Sequence, residues 1–157
     1  MWNWNSINTV ILLFGAIAAV VQQKPDFSGE WVLNRAASTL SPAAAAMESG
    51  VVRIEHREPL FRYKAAFVGG GQPIDYAYEL QTDGLEVAGG GQGRTFVSSL
   101  RWDGSTLEFA SKIQRADGEM TIVFRYELLD DGRRLRAMER LRGGGRDQDN
   151  IWIFDRR

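Results

Sequence analysis

His56 is the only histidine in a chain that has no cysteine. One histidine, without a cysteine or a carboxylate cluster, cannot assemble a Ser-His-Asp or Cys-His nucleophile with a base to spare. A metal site would have to be built from carboxylates and carbonyls alone, and the sequence holds no D-x-D-x-D-G loop. The stretch GGGQG at 89–93 is not a nucleotide fingerprint, because no helical pattern follows it. His56 therefore reads as a strand side chain beside Glu58. No catalytic residue, metal or cofactor is expected, and an enzyme of the lyase or isomerase kind would have to rest on tyrosines and glutamates alone.

The aromatic residues are the richer source of chemistry. Phe61, Tyr63, Phe67, Tyr76, Tyr78, Phe96, Trp102, Phe109, Phe124 and Tyr126 all fall on the apolar side of alternating runs. Small residues, Ala65, Ser98, Ser111 and Ala137, are interleaved with them. Large and small side chains alternating on an inner face either interlock or leave a void. The tyrosine hydroxyls favour a lined cavity, since buried hydroxyls need partners that a ligand or water can supply. The candidate binding residues are Tyr63, Phe67, Tyr76, Tyr78, Phe96, Phe109, Phe124 and Tyr126. An occupant is expected to quench Trp102, and phenylalanine at Ala65 or Ser98 to block it. A second surface lies in RRLRAMERLR, where Arg134, Arg136, Arg140 and Arg142 share one face. They form either a solvated outer face balanced by acids or a site for an anionic partner. Glu139 falls on the opposite, inward side, where it would want an arginine or a polar ligand group.

These residues need strands to hold them. The chain has 157 residues, 44% hydrophobic and 11% aromatic, enough for one domain with a real core. A net charge of -1 excludes a global basic field for nucleic acid. Residues 1–23 carry no ionisable side chain and contain the apolar run VILLFGAIAAVV. That run is short of the roughly 20 residues a membrane helix needs, and Ala16-Ile17-Ala18 matches a cleavage pattern. No lysine or arginine precedes it, which a signal peptide usually has. A cleaved signal is favoured over an uncleaved anchor or a buried N-terminal element. Membrane contact would then come only through an uncleaved segment, and the mature protein would be secreted or periplasmic.

From residue 24 to 157 the text changes to about ten short alternating runs, the mark of an antiparallel up-and-down barrel of about eight to ten strands. Links after even-numbered runs are tight: Glu58-Pro59, TDG, DGS and DDG. Links after odd-numbered runs are longer or glycine-rich: NRAASTLSPAAAAMESG, GGGQP, GGGQG, RADGE and GGGRDQD. In a meander the odd links share one end, so the barrel should be sewn shut at one end and open at the other.

The first run, PDFSGEWVLN, contains Gly29-x-Trp31. This resembles the first-strand motif of lipocalins and their relatives, whose tryptophan packs across the closed end. Through PDFSGEWVLN, SPAAAAMESGVVRIEHREP, RWDGSTLEFASK and ELLDDGRRLR the chain resembles small exported bacterial lipocalin-like proteins. The resemblance implies a calycin-type barrel and no particular activity. It also implies that an arginine near the chain end lies over Trp31, with Arg140, Arg142 and Arg156 as candidates. Ten strands are closer to the fatty-acid-binding branch, although AASTLSPAAAAMES is too poor for the two helices found there. The expected function is an exported binding protein, as a monomer, for a small apolar ligand. The rival reading is an envelope interaction module with a filled barrel.

Overall fold

A computed structural model describes residues 23–157. The proposed signal or anchor segment lies outside the described residues. The ten strands are β1 (Gly29–Leu33), β2 (Met47–Arg57), β3 (Leu60–Gly69), β4 (Gln72–Gln81), β5 (Val87–Gly91), β6 (Arg94–Asp103), β7 (Thr106–Arg115), β8 (Gly118–Leu129), β9 (Arg134–Gly143) and β10 (Gln148–Arg156). Each pairs antiparallel with its sequence neighbour, except that β4 and β5 form the two edges, and β1 closes on β10. The result is a nearly closed barrel. An isolated bridge joins Asp83, just past β4, to Arg101 on β6 across the gap.

The period-two pattern is clear where one face is buried, and it fades on the edge strand β4, where Ile74 and Tyr76 are exposed. On β3, for example, Phe61, Tyr63, Ala65 and Phe67 are buried while Arg62, Lys64 and Ala66 are exposed. AASTLSPAAAAMES, broken by Pro42, keeps only a short 3₁₀ turn, Ala44–Ala46. The loop carrying it is strapped to β10, with the Thr39 and Ile151 amides each donating to the other's carbonyl at 2.8 Å.

The links depart from expectation at both ends: the even-end link 82–86 is longer than the odd-end link 144–147, and the odd-end links other than 144–147 and 34–46 are two-residue turns. The sequence pattern puts the glycines of GGGQG and GGGQP in loops. Instead Gly89–Gly91 continue β5, Gly69 ends β3, and two-residue turns remain. Glycine adopts both the extended and the positive-φ conformations, so the ladder runs on until the turn itself. The longest odd-end links are residues 34–46 and 144–147.

At the even end the barrel is filled. Phe27, Trp31, Phe61, Leu100, Leu107 and Leu135 have no exposed surface. His56 belongs to this plug. Its Nδ1 accepts from the Phe27 amide at 3.3 Å, which leaves Nε2–H to donate to Glu58 at 3.0 Å. Glu58 also accepts from Trp102 Nε1 at 2.8 Å. The two ring nitrogens are thus committed to structure. Trp31 Nε1 donates to the Phe27 carbonyl at 3.0 Å, and Arg156 lies 4.2 Å over the indole. Arg156 sits there because Trp31 and Arg156 are directly opposite in the β1–β10 ladder.

The outer face carries ion pairs. Glu108 accepts from Arg101 and Arg125, both at 2.7 Å. The Arg101 hydrogen bond, with that of Arg125, holds the Glu108 carboxyl below its ordinary value. Its folded-state pKa is therefore lower than its unfolded one. The stabilisation is present above the ordinary carboxylate range and is lost as pH falls through about 4 towards the folded value. Glu108→Gln should accordingly lower the urea midpoint less at pH 3 than at pH 7. An equal drop at both would show that the pairing contributes no proton-linked stability.

Candidate ligand-binding cavity

Beyond the plug, the odd half of the barrel encloses a cavity of about 1120 Å³. Its floor is aromatic. Tyr63 stacks on Tyr78 with centroids 5.0 Å apart, Tyr78 stacks on Phe109 at 4.6 Å, and Phe124 stacks on Tyr126 at 5.8 Å. The Tyr78 and Tyr126 hydroxyls meet across the lumen at 3.2 Å. These contacts join β4 to β7 and β8, which are not ladder neighbours, and so they cap the filled half. The barrel is thus neither full nor hollow throughout.

Of the residues singled out from sequence, Tyr63, Phe67, Tyr76, Tyr78, Phe109, Phe124 and Tyr126 all line the cavity. Phe96 shares their inward face but lies outside the lining, 36% exposed, with its ring on Gly89, where no Cβ intervenes. Burial pushes the Tyr76 hydroxyl up to about 12, and Tyr63, Tyr78 and Tyr126 well above their ordinary range. All four are neutral hydroxyls at physiological pH, able to donate and accept. Tyr76 is 42% exposed, although it lines the cavity.

Two kinds of wall residue escape the sequence pattern. Trp152 on β10 packs its ring 5.8 Å from Phe67 and lines the cavity. Its position in NIWIFDR, alternating with Asn150 and Phe154, is the available signal. Ile122, Met120 and Ile113 add aliphatic surface. Trp102, by contrast, belongs to the closed-end plug, stacked 6.0 Å from Phe27, so Trp152 and not Trp102 is placed to report on the cavity. Ala65 and Ser98 also lie outside the lining, whereas Ala137 and Ser111 are part of it.

Glu139 is inside. Its Oε2 accepts from Trp152 Nε1 at 2.7 Å and Asn150 Nδ2 at 2.8 Å, both on the neighbouring strand. The arginines of β9 point outwards, each to a carboxylate. Arg134 meets Asp155 at 2.9 Å, Arg136 meets Glu127, and Arg142 meets Asp149 at 2.9 Å. Arg140 lies 3.8 Å from the same Asp149. Among the described residues no group of three His, Cys, Asp or Glu is placed to hold a metal ion. No helix there is long and apolar enough to cross a membrane.

The mouth is formed by the 34–46 link, through Ser41, Pro42 and Ala43, and by the 144–147 link, with Arg94 and Asp75 beside them. A barrel plugged at one end by Gly-x-Trp and hollow at the other is a lipocalin-like, calycin-type fold. Comparison with solved structures agrees. The chain is similar to a mutant of a protein described as "REP1-NXSQ fatty acid transporter", with a TM-score of 0.51, 16% identity, and coverage of 83% of this chain and 98% of that one. Secretory abundant heat soluble protein 4 from Ramazzottius varieornatus gives a TM-score of 0.55 at 13% identity, over 87% and 99% of the two chains. Rv2717c from M. tuberculosis gives 0.51 at 18% identity, over 83% and 92%. No family model matches the chain, and no curated protein matches it in sequence.

Proposed function

We propose that this protein binds a small apolar or amphipathic molecule in the barrel cavity, and that it does so after export. The observation that carries the binding reading is the cavity itself, about 1120 Å³, aromatic-walled and open towards the 34–46 and 144–147 links. Cavities of several hundred Å³ with few polar groups are the usual form of small-molecule sites. Apolar surface buried against such walls contributes about 25 cal/mol per Å². The structural similarity to a fatty acid transporter supports the same reading. The interaction-module alternative is weakened because its arginine face is already matched by carboxylates.

An uncharged naphthylamine probe, N-phenyl-1-naphthylamine, is expected to bind saturably in the micromolar range and to quench Trp152. Trp152→Phe should remove the quench and leave the probe's own fluorescence gain. No saturable signal at any concentration would overturn the reading.

Export rests on the apolar N-terminal run and Ala16-Ile17-Ala18. Intact-mass analysis of protein recovered outside the cytoplasm should show loss of about the first 18 to 23 residues. A mass retaining Met1 to Val21 would favour a tether instead.

A further inference from the structure

The polar group that most sharply distinguishes this cavity is a carboxylate. Glu139 stands on the inward face of β9, opposite Phe124 on β8 and Asn150 on β10. Trp152 and Asn150 both donate to Oε2. Oε1 has no hydrogen-bond partner among the described residues, and it is not a buried orphan, so it is open to the cavity it lines. No lysine, arginine or histidine among the described residues pairs with Glu139. The arginines of its own strand are turned outwards and taken up by Asp155, Glu127 and Asp149. The other groups at this depth are the neutral tyrosine hydroxyls, and the charge on Glu139 helps to keep Tyr63, Tyr76 and Tyr126 protonated.

This arrangement discriminates between head groups. A ligand carboxylate beside Glu139 would place two like charges in a partly desolvated space, and the cations that line the cavity, Arg94 and Arg146, stand at the mouth and not beside Glu139. A ligand that donates a hydrogen bond instead completes the second oxygen, and an ammonium does so with charge assistance. We propose that, within the binding reading above, Glu139 Oε1 selects an apolar ligand bearing a hydrogen-bond donor, most strongly an alkylammonium, over the corresponding carboxylic acid. The ammonium sits at Glu139. The chain runs over Phe67, Tyr76, Phe109 and Phe124 towards the mouth.

The test uses three compounds of equal chain length, decylamine, decanol and decanoate, each below its aggregation limit. They compete for the naphthylamine probe at pH 7 on the wild type, Glu139→Gln and Glu86→Gln. Glu86 is an exposed residue outside the cavity, and its replacement removes the same charge without touching the wall. Decylamine should displace the probe at least about tenfold more tightly than decanoate on the wild type and on Glu86→Gln. Glu139→Gln should cut decylamine affinity about tenfold, strengthen decanoate and leave decanol within about twofold. Should Glu139→Gln fail to fold, the wild-type ranking still decides. Decanoate binding as tightly as decylamine overturns the selectivity and leaves the cavity reading intact. Loss of the preference in Glu86→Gln would reassign it to general charge and overturn the role of Glu139. Failure of the probe itself to bind overturns the cavity reading.

Discussion

Trp31→Ala is expected to lower stability by about 3–5 kcal/mol, the cost of truncating a large, fully buried aromatic. The ring has no exposed surface and closes the floor of the barrel against Phe27. Its loss would remove packing, the indole–guanidinium contact with Arg156 and a buried hydrogen bond together. Gly29→Ala should act on the same device from the other side. Gly29 has φ +143, and an added Cβ would lie 2.7 Å from Arg156 Nη1. That nitrogen donates to the Ser28 carbonyl at 2.7 Å, and Arg156 Nε donates to the Gly132 carbonyl at 2.8 Å. Alanine would therefore carry both backbone strain and displacement of the arginine. Urea melts decide the point. A loss below about 1 kcal/mol for Trp31→Ala would mean that the motif is not a packing element.

Ala137→Phe is expected to abolish probe binding and spare the fold. Ala137 lies on the inner wall between Tyr126 on β8 and Trp152 on β10. Ala137 is buried, 3% exposed, but its methyl lines the cavity, so a phenyl ring there is directed into the void. A loss of probe affinity of more than about tenfold should accompany a change in unfolding free energy of less than about 1.5 kcal/mol. Ala65→Phe makes the contrast. Ala65 is as buried as Ala137 but lies outside the lining, so its enlargement overpacks the wall at about 1–3 kcal/mol and leaves the void largely intact. Equal probe binding by wild type and Ala137→Phe would place the probe elsewhere on the protein.

Much of this molecule is determined by its sequence, because the information is local. Alternation in FRYKAAFV or IDYAYELQ states which side chains face inwards, since a strand has a period of two. Asp-Gly turns state where hairpins close, since glycine accepts the positive φ they require. From these come the strands, the inward aromatics and the structural role of His56, whereas the open odd end rests on the 34–46 link, since the other odd links close as turns of two to four residues. Gly-x-Trp marks the closed end only through its resemblance to the lipocalin first-strand motif.

What a strand pattern cannot state is height and bearing within the lumen. Arg140, Arg142 and Arg156 all satisfy the sequence criterion for covering Trp31. Only closure of β1 on β10, which sets Trp31 opposite Arg156, selects one. Trp102 and Trp152 both face inwards, yet one belongs to the plug and the other to the cavity wall, because they sit at opposite ends of the barrel's inner rows. Phe96 faces inwards too, but the bare surface of Gly89 takes its ring. Glu139 is legible as an inward acid. That its partners are an indole and an amide, with one oxygen left to the cavity, depends on β10 lying beside β9. Period two fixes a face for every residue, whereas the void, its floor and its charge arise only where faces from non-adjacent strands meet across the barrel.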